Sequence, residues 1–319
     1  MRDAATAMPD LRTRLVAVPG VAVILALLGI GFALGSHDFL SPANLLNIVD
    51  QSAVLMLLAL PMTLIIMTEG LDLSAGAVVS LASVVIGAAA VATGQVWPAL
   101  LAGVGAGLGF GLLNGVLVAL VGLPPFVATL GTLGVAQGLA LVASGGQSIT
   151  GIPAALLSVY AGRLLGMPLP ALVLLGAWAI FAWLLHRTAF GSFVFALGGN
   201  REALRLAGVR PAPVLVAVYA LGGLMAGLAG LLLTSRLNAG HPTAGIGMEF
   251  DAIAAVAVGG TSFERGDGRL GGTVLGVAAI GVLRNGLNLL AWPSSLQVAC
   301  VGVLVILALL VDVLRSDAP

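Results

Sequence analysis

The chain has 319 residues, 60% of them hydrophobic and 8% charged, and its 13 basic and 13 acidic residues cancel. A mean hydropathy of +1.15 excludes an ordinary water-soluble globule, and zero net charge implies no nucleic-acid or acidic partner. All 13 basic residues are arginine, so the chain has no Walker A phosphate loop of its own, which needs Gly-Lys-Ser/Thr, and no lysine for Schiff-base chemistry.

In chain order, apolar runs cover roughly residues 16–35, 44–68, 74–93, 97–121, 126–144, 168–187, 213–236, 249–260, 270–290 and 294–314. Most approach the ~20 residues that a helix needs to cross a hydrocarbon core about 30 Å thick. The runs are continuous rather than alternating and aromatics make up only 5%, which argues helices over a barrel. The 45 glycines fit helices that approach closely in lipid. The expected fold is therefore all-α and membrane-embedded, with about ten transmembrane helices. The eighth run is too short to span unaided and reads as a re-entrant or broken helix. The first run, Val16 to Leu34, exceeds a signal-peptide core and has no small-x-small cleavage pattern after it, so it reads as a retained helix.

Arginine placement orients the chain. With a cytoplasmic N-terminus, Arg2, Arg12, Arg14, Arg187, Arg201, Arg205, Arg210, Arg265, Arg269 and Arg315 fall inside. Only Arg163, Arg236 and Arg284 fall outside or near outer ends, as the positive-inside rule expects. The expected domains are a cytoplasmic tail at 1–15, one transmembrane domain at 16–314 and a cytoplasmic tail at 315–319. A five-plus-five inverted repeat is suggested by a matching order of features. Asp72 at a glycine-rich break, Asn114-Gly115 and Pro124-Pro125 recur as Glu249 and Asp251, Asn285-Gly286 and Pro293. An odd offset of five segments would place the halves in opposite orientation, as in many transporters.

Four stretches carry polar chemistry. Thr68 to Gly76 holds Glu69 and Asp72, costly groups at membrane depth. They read as a cap and turn, with Asp72 or Ser74 starting the next helix, or as a pathway lining. Leu123-Pro124-Pro125 suits a helix start. Downstream, Gln137 reads as a helix–helix hydrogen bond, while Gln147 stays open between that role and lining a path for a neutral hydroxylated solute. Ala196 to Pro213 concentrates Arg201, Glu202, Arg205 and Arg210 in a chain otherwise nearly free of charge. Glu202 and Arg205 have helical spacing, and Leu204, Leu206 and Ala207 offer an apolar side. Such a helix fits a groove on a partner, or its arginines merely fix topology. Gly259-Gly260-Thr261 lacks the lysine and strand of a phosphate cradle and reads as a turn. The lone Cys300 allows no internal disulfide or cysteine metal site, and His37, His186 and His241 are too far apart for a ligand pair.

Taken together, TEGLDLSAGAVVSLAS, PPFVATLGTLGVAQGLAL with SGGQSI, ALGGNREALRLAGV, and the run from YALGGLMAGLAG to GRLGGT resemble the permease subunit of ribose/xylose/galactoside-type ABC importers, from about residue 40 onward. The resemblance implies a type II importer-like fold with ten helices and a bacterial inner-membrane location with both termini cytoplasmic. It also implies that two permease subunits, as a homodimer or a heterodimer, form the pore. A cytoplasmic tandem ATPase would bind ATP and Mg, and a periplasmic or lipid-anchored binding protein would deliver a monosaccharide. This chain would be no enzyme and would bind no cofactor or metal. Residues 196–213 then resemble the coupling loop, with Asn200, Arg201, Glu202, Ala203, Arg205 and Gly208 in it. Leu204 replaces the second alanine of the family motif, an apolar residue still able to dock. Asn114, Gln147, Asp251 and Asn285 join Glu69 and Asp72 as pathway or structural candidates. The rival reading is a proton-coupled secondary transporter that uses Glu69, Asp72, Glu249 and Asp251 as a relay.

Overall fold

A computed structural model describes residues 20–262 and 266–316 of the chain. The helices are α1 (Gly20–Gly35), α2 (Pro42–Met67), α3 (Ala75–Thr93), α4 (Val96–Val116), α5 (Pro125–Ser144), α6 (Ala154–Ala161) and α7 (Leu169–Arg187). They continue as α8 (Ala189–Gly199), α9 (Arg201–Leu206), α10 (Pro211–Leu237), α11 (Met248–Val258), α12 (Leu270–Leu289) and α13 (Ser294–Ser316). A π-helical stretch, Leu117–Val121, prolongs α4, and a two-residue antiparallel hairpin, β1 (Arg163–Leu164) with β2 (Met167–Pro168), precedes α7.

Local sequence explains where the helices start and stop. Pro42, Pro125 and Pro211 occupy first turns, where a missing N–H costs nothing. The side chains of Ser41, Thr188 and Asn200 accept from the N–H groups of Asn44, Gly191 and Ala203. Gly94, Gly122 and Gly145 end helices with φ of +67°, +82° and +60°, a conformation open to glycine at little cost.

Each of the ten apolar runs carries a helix. Among the described residues, seven helices are long and apolar enough to cross a membrane: α2, α3, α4 with its extension, α5, α7, α10 and α12. The described structure is thus mostly helical with seven candidate spans. Shorter apolar helices are α1, α8 and the Ser294–Leu307 part of α13. The expected tail 1–15 with Arg2, Arg12 and Arg14, the start of the first run and Arg265 lie outside the described residues. Arg315, expected in the C-terminal tail, lies within α13, and residues 317–319 lie outside the described set.

The most apolar windows of α2, α3 and α10 are 72%, 72% and 67% buried, against 22–28% for α4, α5 and α7. Hence α2, α3 and α10 form the core, and the outer helices present apolar flanks such as Trp178, Ile180 and Trp183 of α7. Lipid is the natural solvent for those flanks. α4 and α10 approach each other closely along their length. A Cβ on Gly107 would meet the Gly223 carbonyl oxygen and the Gly227 nitrogen, and one on Gly111 would meet the backbone of Tyr219 and Gly223. Glycine every fourth residue on α4, from Gly103 to Gly115, lets the two backbones touch.

The eighth run, expected to be re-entrant or broken, carries one short continuous helix, α11, and the irregular backbone precedes it. α10 ends at Asn238 (φ +54°), and the chain then runs back along α3 before α11 begins. Ile149 and Gly240 form an isolated bridge there. Ser83 Oγ accepts from His241 N–H at 3.1 Å, Ser80 Oγ accepts from Gly245 N–H at 2.9 Å, and Gln137 Nε2 donates to the Pro242 carbonyl at 2.9 Å. Irregular backbone inside a membrane protein needs such partners. Gln137 therefore bonds to the irregular segment's backbone rather than to another helix. Gly247 (φ +90°) opens α11, which starts beside the first turn of α3: a Cβ on Gly76 would meet the Glu249 carboxylate and the Gly245 carbonyl.

Candidate functional site

Among the described residues, three larger polar regions interrupt the apolar bundle. The first surrounds the α2–α3 connection. Asp72 is buried, and its Oδ1 accepts from the Ser74 N–H at 2.9 Å and from the Ser74 hydroxyl at 2.6 Å. Ser74 Oγ accepts from Asn114 Nδ2 at 2.8 Å, and Asn114 Oδ1 accepts from the Thr132 hydroxyl at 2.6 Å. Thr129 and Tyr219 hydroxyls donate to the Leu71 carbonyl at 3.2 and 3.4 Å. The connection is thereby tied to α4, α5 and α10; Asp72 braces the turn before α3, and Ser74, which opens that helix, makes no side-chain capping bond. Glu69 is exposed, at φ +60°, and joins none of these bonds.

The second region is the charged stretch. Asn200 caps α9 through Ala203 N–H at 2.9 Å. Glu202 and Arg205 stand 3.7 Å apart with side chains 70% and 63% exposed. Gly208 (φ +81°) turns the chain and donates to the Arg205 carbonyl. Arg201, Arg205 and Arg210 line one side of a cleft whose other wall is Val118, Ala119 and Gly122. The apolar side expected of this segment is split. Leu204 is 5% exposed and packs into its own chain, so it offers nothing to a partner; Leu206, 83% exposed, and the exposed Ala207 remain free. A Cβ on Gly198 would meet the Met67 carbonyl and Gly266. The α8–α9 corner is thus seated against the end of α2 and the loop after α11.

The third region is a cavity of about 240 Å³ among α2, α10, α11, α12 and α13. Arg284 Nη2 donates to both carboxylate oxygens of Asp251, at 2.6 and 2.7 Å. Gln51, Ser52, Asn288 and Gln297 complete the polar lining, and Gln297 Nε2 donates to Asn288 Oδ1 at 2.7 Å. Beside it, the guanidinium of Arg236, which also borders the cavity, lies 6.0 Å from the Tyr160 ring centre.

The residues singled out from sequence therefore fall into separate places. Asp251 lies in the cavity and Asp72 and Asn114 share the α3 network. Asn285 is outside both: it exchanges two 2.8 Å hydrogen bonds with Asn44, joining α12 to α2. Gln147 is exposed in the loop after α5 and lines neither cavity nor cleft. Sequence reasoning missed Arg284 as the partner of Asp251, together with Gln51, Ser52, Asn288 and Gln297. The available signal was a lone arginine inside the ninth apolar run.

Residues 44–309 match the family described as branched-chain amino acid transport system, permease component. The chain belongs to this family of membrane permeases. The permease is 41% identical over 281 residues to the ribose import permease protein RbsC of Bacillus subtilis, covering 88% of this chain and 87% of the relative. It is 39% identical over 285 residues to the ribose import permease of Escherichia coli K12, covering 87% and 88%. It is also 35% identical over 297 residues to the D-allose transport system permease protein AlsC of the same strain, covering 93% and 90%. No solved structure matches the chain.

Proposed function

We propose that this permease is the membrane subunit of an ATP-driven importer that carries a neutral monosaccharide into a bacterial cytoplasm. The observation that carries the reading is the α8–α9 corner. It is exposed and charged on one side, and on the other it is seated against the end of α2 and the loop after α11. A partner gripping Glu202, Arg205 and the free Leu206 would move those elements with it. The relatives named for ribose import and D-allose transport supply the solute class.

In this reading ATP and Mg belong to a cytoplasmic tandem ATPase, because a chain without lysine has no Walker A loop. A second permease subunit completes the pore, and a periplasmic or lipid-anchored binding protein delivers the sugar. ATP shifts the helices between outward and inward openings only to the extent that it binds the two states differently. The inner-membrane orientation has both termini cytoplasmic, which puts the α9 arginines inside.

The full arrangement is ten membrane segments in a five-plus-five inverted repeat. Packing supports it: α4 lies on α10, and its repeat counterpart α12 lies on α2, the counterpart of α10. Likewise α3 packs on α4 and α5, as α11 packs on α12 and α13. A proton relay is less well served. Asp72 is held by Ser74, Glu249 accepts from Gly247 N–H at 3.1 Å, and Asp251 is paired with Arg284.

The test is the charge-reversed double variant Glu202→Arg with Arg205→Glu, in a complex rebuilt with ATPase and binding protein. Uptake should fall at least about tenfold, with weaker ATPase pull-down. Normal uptake with full pull-down would remove the coupling role from α9.

A further inference from the structure

We propose that the cavity holding Asp251 and Arg284 is a transit site for a neutral polyhydroxylated solute, a site within the permease itself rather than on the binding protein. The inference rests on the importer reading and names where the solute touches this chain.

Size sets the first limit. A cavity of about 240 Å³ has room for about eight waters at ~30 Å³ each, or for one sugar ring in their place. Chemistry sets the second. Sugar hydroxyls both donate and accept, so a matching wall must offer both. Gln51, Asn288 and Gln297 present amides, Asp251 accepts and Arg284 donates. Asp251 and Arg284 neutralise each other, so the pair selects for polarity without selecting for charge. The other charged neighbours are Arg236 on α10, which borders the cavity, and Asp50 on α2, which faces Arg236 and Arg163.

Unmet hydrogen-bonding capacity points to a ligand. Ser52 is 7% exposed, borders the cavity, and its hydroxyl has no hydrogen-bond partner among the described residues. Nε of Arg284 is buried and equally unpartnered. Leaving such groups dry costs about 1–3 kcal/mol each, and a solute hydroxyl or water can satisfy both. Gly281 keeps the serine reachable, because a Cβ there would press on Ser52 Oγ. The α3 network differs on this point, since its buried side chains bond to one another.

Among the described residues, the lining contains no aromatic ring. A stacking platform would strengthen sugar binding, so its lack suits a site that must release its cargo. Transport sites need affinity high enough to admit the solute and low enough to let it leave.

Thiol protection tests the site without relying on transport activity. Ser52→Cys is placed in a Cys300→Ser background in the assembled importer and alkylated with a small neutral reagent in the presence of D-ribose. At a sugar concentration about ten times its Kd, labelling should slow about tenfold by mass action. Gln51→Cys, a half-buried position in the same cavity, should be protected likewise and guards against a misfolded Ser52 variant. Leu165→Cys, on the exposed hairpin before α7, should label at the same rate with and without sugar. No protection at either cavity position, no reagent access to either, equal protection by glycine betaine, or protection at Leu165 would each overturn the site. Loss of sugar uptake in the unmodified complex would instead sink the importer reading, so the two failures are distinguishable.

Discussion

Asp72 stands just before α3 and Asp251 in the first turn of α11, yet their surroundings differ. Asp72 closes a network with Ser74, Asn114 and Thr132, beside the glycine contact of α4 with α10. Asp251 pairs with Arg284 on the wall of a cavity where Ser52 Oγ and Arg284 Nε find no partner. A carboxylate in an apolar chain is thus not a functional signal by itself. What distinguishes glue from a solute contact is whether the neighbouring groups are already satisfied.

The largest effect should come from breaking the closed side. Gly107→Leu or Gly111→Leu forces two touching backbones apart, an overpacking that exceeds ~3 kcal/mol where nothing can yield. The variant should fail to elute as a monodisperse permease in detergent. On the open side, Arg284→Ala strands a carboxylate whose side chain is 13% exposed and should cost about 3 kcal/mol. Thermal unfolding in detergent reads it, and Arg284→Met combined with Asp251→Leu should recover most of the loss. Asp72→Ala leaves the Ser74 N–H and hydroxyl without their acceptor and should cost about 1–3 kcal/mol, whereas Asp72→Asn keeps an acceptor and should cost less. The smallest stability effect is expected at Asn288, which is exposed. Asn288→Ala should stay within about 0.5 kcal/mol of the parent while lowering sugar uptake. A stability loss as large as that of Asp72→Ala would erase the contrast between the two regions.

Much of the helical layout was legible because lipid imposes it: long apolar runs, punctuated by Pro42, Pro125, Pro211 and Gly145, have one economical conformation. The shortness of the eighth run matched the short helix α11, but the irregular backbone lies ahead of that run. The course of that backbone did not show, because the partners that satisfy it, Ser80, Ser83 and Gln137, lie more than 100 residues away in the chain. The cavity was hidden for the same reason. It gathers α2, α10, α11, α12 and α13, and only Asp251 stood out as a candidate. Arg284 counted for topology alone until the fold placed it on Asp251. In α9 the spacing of Glu202 and Arg205 was readable from helical geometry. Which leucine faces outward was not: a two-turn segment presents both sides, and packing against the bundle buries Leu204 rather than Leu206.

The most direct measurement is accumulation of radiolabelled D-ribose in proteoliposomes that contain the permease, its tandem ATPase and its solute-binding protein. ATP-dependent accumulation that needs all three proteins, and that is abolished by reversing Glu202 and Arg205, is the predicted result. Accumulation by the permease alone under a pH gradient, independent of ATP, would contradict it.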